Sequence, residues 1–309
     1  MSKLLTVFGA TGKQGGSVVN YVLNDPTLSQ LYKIRIITRD AKSAKAKQFQ
    51  EGVEVVEGDM MDREFLEIAL SGTNTVFIMT APVWRPDGIG DEDGIAKTIA
   101  KVALDKGAEY IIFSTLPSIK DISGGIYSNV GLFDRKAEAE RYIRNLPIKA
   151  SFISAGFFME NFLSSHFFLS PRQAADGTWV MSSFMSPKTQ LPFISSVQDT
   201  GKFAGTILAE PERYAGKTLG AGKLYAMEEI ADIIARITGK NVLYQQIGVE
   251  DFRQTVPYGA DTWVEGLRFM EELGYFGPDT KELLTASAKY VSGRLTTLEE
   301  FFHTHSFHS

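Results

Sequence analysis

Gly9, Gly12 and Gly15 stand three residues apart, directly after the apolar run Leu4-Leu5-Thr6-Val7-Phe8 and directly before a segment whose apolar residues take a helical period from Ser17. Glycines at a tight turn let the backbone approach a ligand closely. The helix that follows aims its unpaired N–H groups, and the positive end of its dipole, at whatever lies there. That arrangement suits the holding of a pyrophosphate. The spacing is Gly-x-x-Gly-x-x-Gly and not Gly-x-Gly-x-x-Gly, but strand, turn and helix follow in the order a dinucleotide site requires. An ordinary tight turn is the alternative.

Further polar residues fall where later strands end. A second apolar run, residues 33–38, closes on Thr38-Arg39. A carboxylate at this place takes the ribose hydroxyls of NAD, whereas a cation takes the 2′-phosphate of NADP. Asp40 comes one residue late and suits the cap of the next helix, on which Lys42, Lys45 and Lys47 follow. An arginine fork matches a phosphate, so NADP(H) is expected in preference to NAD. In the competing reading Arg39 is solvated and Asp40 holds the ribose. Asp59 is placed to accept from an adenine amino group with Met60 along the ring, and Asp62 to cap a helix over 63–70. Thr80, Ala81 and Pro82 are small enough for a ribose to pass close to the backbone. Ser114 and Thr115 either meet substrate or a nicotinamide amide, or are plain strand-end hydroxyls.

The elements that must position these residues are legible as an alternation. Strands at 33–38, 53–56, 75–79, 110–113 and 149–154 are separated by helical segments at about 15–23, 63–70 and 95–106. Close alternation of this kind implies right-handed crossovers and a parallel sheet covered on both faces, with ligand at the strands' carboxyl ends. The expected fold is α/β: a Rossmann-type doubly wound sheet over residues 1–155 and a smaller α/β C-terminal lobe over 156–309, with the chain crossing between the two. Helices are expected at 198–208, 228–237, 262–273 and 296–302, and a lobe strand at 242–247. Residues 83–94 carry Asp87, Asp91, Glu92 and Asp93 around Trp84. They lack the spacing and terminal Glu of a calcium loop, so a solvated surface loop is expected. His166, among aromatic residues, reads as packed and not as an acid–base group, and the histidine-bearing tail from 303 reads as a frayed end.

Composition narrows the function classes. The chain has 309 residues, 44% of them apolar and 22% charged, with a net charge of −5. That balance gives no electrostatic footprint for nucleic acid or anionic membrane. With no cysteine, thiolate catalysis, disulfides and cysteine-ligated zinc are excluded. No apolar stretch reaches the ~18 residues of a membrane span, and the first apolar run is too short for a secretory signal. A soluble cytoplasmic or nuclear protein is expected, and nothing in the sequence sets its oligomeric state.

The segments Gly9-Ala10-Thr11-Gly12-Lys13-Gln14-Gly15, Thr38-Arg39, Gly58-Asp59, Phe133-Asp134-Arg135-Lys136 and Gly156-Phe157-Phe158-Met159-Glu160-Asn161, in this order over nearly the whole chain, resemble the NmrA-like family of atypical short-chain dehydrogenases/reductases. The resemblance implies an NADP(H)-binding domain whose cofactor contacts include Thr11, Lys13, Gln14, Gly156, Phe157 and Asn161, with Lys136 at the ribose. It also implies one of two lives. Some members are redox-sensing regulators that bind a protein partner, and related branches are NADPH-dependent reductases of quinones or phenylpropanoids. In the superfamily a tyrosine one helical turn before the lysine supplies the proton for carbonyl reduction. Here that position is Leu132, which has no proton to give, and Tyr127 and Tyr142 are not one turn away. Lys136 therefore either anchors the ribose of a sensed cofactor or assists a reaction that needs no tyrosine, such as quinone reduction. As a plain surface lysine it would pair with Glu140. The aromatic run from Phe157 either covers the nicotinamide or forms lobe core.

Overall fold

The computed structural model describes residues 2–49, 52–81, 91–256 and 259–305, with backbone alone at 84–85 and 88–89. Pro82, Val83, Asp87 and His308 lie outside the described residues.

Seven parallel strands form the central sheet. In chain order they are β1 (Lys3–Phe8), β2 (Tyr32–Thr38), β3 (Val53–Glu57), β4 (Thr75–Ile78), β5 (Tyr110–Thr115), β6 (Lys149–Ala155) and β7 (Thr218–Ala221). They lie in the spatial order β7-β6-β5-β4-β1-β2-β3. The order reverses between β1 and β4, which is the switch point where an open α/β sheet takes ligand. The register is continuous: Val7 lies beside Ile36 on one side and Phe77 on the other. Both faces are buried, and this is why β1, β4 and β5 read as unbroken apolar runs.

Five helices matter to the site: α1 (Lys13–Asn24), α2 (Arg63–Ala69), α3 (Glu92–Asp105), α4 (Gly131–Arg144) and α5 (Ser196–Ala209). Val18, Val19 and Val22 of α1 join Phe203, Ala204 and Ile207 of α5 in the core on one face, against Leu5, Val7 and Ile112. Leu66 of α2, Ile99 and Ala103 of α3, and Ala139 and Ile143 of α4 cover the other face, against Val76, Ile111 and Phe152. α5 and β7 come from the second half of the chain yet belong to this sheet. A Cβ on Gly201 or Gly205 would run into the backbone of Ser17 or the ring of Tyr21, so α1 and α5 approach to backbone distance.

The lobe has two small sheets. One joins Arg172–Gln173, Trp179–Ser183 and Val242–Gln246, and the other joins Phe157–Phe158, Gln190–Ile194 and Lys223–Ala226. Helices Met227–Thr238, Ala260–Leu273 and Leu298–Thr304 pack on them. Their shared core is aromatic, with Phe162, Phe168, Phe193, Phe252 and Phe301 buried.

Three local expectations are corrected. Ser43, and not Asp40, caps the short helix Ala44–Lys47 by accepting from the Ala46 N–H. The Asp40 carboxylate is taken by the N–H of Lys42 two residues on, an Asx turn. The acidic stretch is not wholly a loop: Asp91 caps α3, and Glu92 and Asp93 form its first turn, where carboxylates complement the helix dipole. His166 is exposed and not packed, although buried Phe167 and Phe168 follow it directly.

Candidate functional site

At the end of β1, Gly9 takes φ +72°, a left-handed conformation that a side chain would strain. The Gly12 N–H donates to the Gly9 carbonyl (2.9 Å), which closes the turn. Gly15 lies so close over Gly9 that a Cβ there would overlap its carbonyl. Helix α1 starts at Lys13, before the apolar period begins. Its Ncap, Gly12, brings no side-chain cap, and its first turn holds no acid. The first N–H groups of α1 are therefore uncapped at the switch point, as anion binding needs. Thr11 is half-buried, and Lys13 is exposed with no partner among the described residues. Gln14 is buried, and its Oε1 accepts from the Ser114 hydroxyl at 2.8 Å. Ser114 thus ties the first turn of α1 to the end of β5.

Across the switch point, Arg39 is exposed and has no hydrogen-bond or ion-pair partner among the described residues. Asp59 is exposed too, with one carboxylate oxygen accepting from the Met61 N–H (3.0 Å), and Met60 is half-buried. Asp62 caps α2, accepting from Glu64 and Phe65 as expected.

The densest chemistry lies where β4, α3 and α4 meet. The Lys136 ammonium is 2.8 Å from Glu92 Oε1. It donates to the Thr80 carbonyl at 3.0 Å and to the Thr80 hydroxyl at 3.3 Å. That hydroxyl in turn donates to Glu92 Oε1 at 2.9 Å. The ammonium thus donates twice to Thr80 and is paired in charge with Glu92. Glu92 is 1% exposed, so it is the reverse of a solvated loop acid. Glu140, the alternative partner of Lys136, pairs with Arg144 instead (2.6 Å). Beside the cluster, Asp93 binds Lys97 (2.8 Å) and Arg135 (3.3 Å), so neighbouring charges fasten α3 to α4. Ala81 is exposed at the end of this strand.

One turn before Lys136, Leu132 is half-buried and packs on the lobe's apolar core. Tyr127 turns away and donates to Glu272 at 2.7 Å. Burial, and then that carboxylate, push its phenol up to about 12. Tyr142 packs against the core under α3 and α4. Among the described residues, no phenol makes a hydrogen bond to Lys136 or its partners.

The Phe157 ring, read from sequence as either nicotinamide cover or lobe core, is enclosed by the rings of Phe167, Phe168, Phe193 and Tyr275, at centroid distances of 6.1, 5.7, 5.7 and 5.2 Å. It belongs to the lobe core. Gly156 donates its N–H to Ala221 (2.8 Å), and Asn161 is half-buried with its amide unpaired among the described residues. Between them Glu160 does what residue type alone did not announce. It is 7% exposed, and it accepts from the hydroxyls of Ser195 (3.2 Å) and Ser196 (3.0 Å) and the N–H groups of Ser196 (3.1 Å) and Val197 (3.0 Å). It holds the start of α5.

A cavity of about 380 Å³ opens at the opposite, amino-terminal edge of the sheet, lined by Tyr32, Tyr110, Lys149 and Glu212 among others. Its charges and phenols are paired: Lys149 with Glu212 (2.7 Å), Tyr110 with the Pro211 carbonyl (2.8 Å) and Tyr32 with the Leu208 carbonyl (3.0 Å). Chemistry is better sought at the carboxyl ends, where open donors remain.

The family model described as the NmrA-like family matches residues 1–302. The chain belongs to the NmrA-like family. Among NmrA-like relatives, it is 29% identical to an NmrA-like family domain-containing protein of Dictyostelium discoideum, over 97% of each chain. It is 27% identical to the NmrA-like family domain-containing oxidoreductase FrzB of Cladobotryum sp., over 93% of this chain and 90% of that one. Among solved structures the fold resembles NmrA, a negative transcriptional regulator, in complex with NADP (TM-score 0.76, 20% identity, 99% and 95% of the two chains). NmrA is also solved with NAD. The fold is similar, too, to the NADPH-dependent quinone oxidoreductase QOR2 of Escherichia coli with NADPH (TM-score 0.74, 21% identity, 96% and 98%). These likenesses establish the NmrA-like Rossmann fold. No helix among the described residues is long and apolar enough to cross a membrane.

Proposed function

We propose that this NmrA-like protein binds NADP(H) and serves as a reader of its redox state, passing that state to a protein partner, and is not a carbonyl reductase. The fit to the cofactor is supported by the uncapped start of α1 over the glycine turn and by the unpaired Arg39. The glycine turn with Thr11 and Lys13 would hold the pyrophosphate and Arg39 the 2′-phosphate. Asp59 and Met60 would flank the adenine, and the Thr80–Glu92–Lys136 cluster would meet the second ribose. When bound, the cofactor carries a hydride that it can give or accept. Reducing a carbonyl also needs a proton at the new alkoxide. The observation that carries the reading is Leu132 on the α4 face of Lys136, packed into the lobe core, with no phenol in its place.

A second reading, NADPH-dependent reduction of quinone-like or conjugated molecules, is favoured by the naming of relatives such as FrzB as oxidoreductases. It needs no tyrosine because its product is a stabilised anion. The two part on one experiment. Purified protein is titrated with NADPH and NADP+, then incubated with NADPH and a panel of quinones and enones while absorbance at the nicotinamide band is followed. A reader binds the two forms with different affinity and leaves NADPH unconsumed. Turnover that Lys136→Ala abolishes would replace the first reading by the second. For cofactor choice, Arg39→Glu is expected to weaken NADPH about 10-fold or more while changing NADH little. Equal effects on both would show that Arg39 does not read the phosphate.

A further inference from the structure

The Glu92–Lys136 pair leaves one atom unexplained. Glu92 Oε1 takes both the Lys136 ammonium and the Thr80 hydroxyl, while Oε2 is buried and has no hydrogen-bond partner among the described residues. A carboxylate oxygen withdrawn from water without a donor is costly, and folded proteins seldom keep one unless something else supplies that donor. Lys136 does not supply it: its ammonium donates to both oxygens of Thr80 and lies against Glu92 Oε1. Asp93, Lys97 and Arg135, the neighbouring charged groups, are likewise occupied with one another. What the cluster has left to offer is an acceptor.

Its place in the fold says what would meet it. Thr80 follows β4, on the far side of the switch point from β2 and Arg39. A dinucleotide that lays its adenosine half over β2 and its pyrophosphate on the α1 turn runs its other half over the ends of β4 and β5. We propose that Glu92 Oε2 accepts a hydrogen bond from the nicotinamide half of the bound dinucleotide, from a ribose hydroxyl or the carboxamide N–H. Lys136 is then also the counter-ion that holds Glu92 in place. This inference rests on the NADP(H) reading above and sharpens it. The residue that recognises the redox-active half is an acid at the start of α3.

Isothermal titration of wild type, Glu92→Gln and Glu92→Asp with three ligands tests it. NADPH carries both halves, 2′-phospho-ADP-ribose lacks the ring, and 2′,5′-ADP lacks the second half altogether. The glutamine variant turns a donor toward a donor. It is expected to weaken NADPH about 10-fold or more while leaving 2′,5′-ADP within about two-fold. Retention of 2′,5′-ADP also reports that the variant is folded. If Glu92→Gln does not fold, the aspartate, which keeps the charge but withdraws it by one methylene, is expected to give the same split between ligands. A loss shared by 2′-phospho-ADP-ribose assigns the donor to the ribose, and a loss confined to NADPH assigns it to the carboxamide. Equal losses on NADPH and 2′,5′-ADP, or wild-type NADPH affinity in Glu92→Gln, would overturn the proposal. A wild-type protein that binds none of the three ligands overturns the NADP(H) reading itself, and the role of Glu92 with it.

Discussion

Lys136 is the charge partner of a buried carboxylate, and this changes what its removal should do. Lys136→Met leaves a carboxylate that is 1% exposed without its cation. The expected cost is about 3 kcal/mol of folding stability, measured by denaturant titration, because stranding one member of a buried pair costs more than the pair contributes. The double variant Lys136→Met, Glu92→Leu is expected to recover most of that loss, since an apolar pair leaves no charge behind. A single variant as stable as wild type would show that the pair does not hold α3 to α4. None of this was legible in the sequence. Lys136 stood out through its motif, but Glu92 lay in a run of acids that reads as solvated, and only the tertiary fold brings the two together. Phe157 was left open for a related reason. An aromatic beside a site motif reads equally as cofactor wall or as core, and neighbours distant in sequence decide for core.

At the scale of elements, helix starts govern the site. The turn before α1 was legible because its signals are local: an apolar strand, three glycines and an apolar helical period. The start of α5 was less so, because besides its own Ncap, Ser195, which accepts from the Gln198 N–H, it is held by Glu160 from another element. Glu160→Ala leaves the buried N–H of Ser196 without an acceptor and frees that of the exposed Val197. It is expected to cost about 2 kcal/mol, read as a lower midpoint in urea, whereas an unchanged midpoint would mean that Ser195 suffices as cap. The start of α3 should respond to acid. Burial pushes the Asp93 carboxyl up, but the hydrogen bond and charge of Lys97, with Arg135 beyond, outweigh it and leave the group below its ordinary value of 3.8. A depressed value means stability that is present above pH 3.8 and is lost as pH falls through the lower, folded-state value. The stability gap between wild type and Asp93→Asn is therefore expected at neutral pH and should close below that point. A gap independent of pH would sink the assignment.

For the whole molecule, strand alternation made the parallel sheet readable, with ligand at its carboxyl ends, whereas the strand order and its switch point come from the fold. The interleaving of the two halves was readable only as a general expectation. α5 and β7 return to the first sheet, and the closing segment is tied to α5 through Asp199, which accepts from the N–H and hydroxyl of Thr296 at 3.0 and 3.1 Å. Helix Leu298–Thr304 buries Leu298, Phe301 and Phe302 in the lobe. At about 2 kcal/mol for each buried side chain, deleting residues 296–309 removes a large part of the ~5–15 kcal/mol that a domain has. The truncated chain is expected to be insoluble or to melt well below wild type, and a truncation that melts with wild type would refute that weight. The backbone-close seam between α1 and α5 has a consequence for recombination. A chimaera that exchanged everything after residue 155 with a relative would replace α5, and any side chain brought in at Gly201 or Gly205 would lever α1, and the glycine turn at its head, off the sheet. An exchange that leaves residues 196–221 with the first half keeps this seam as it stands.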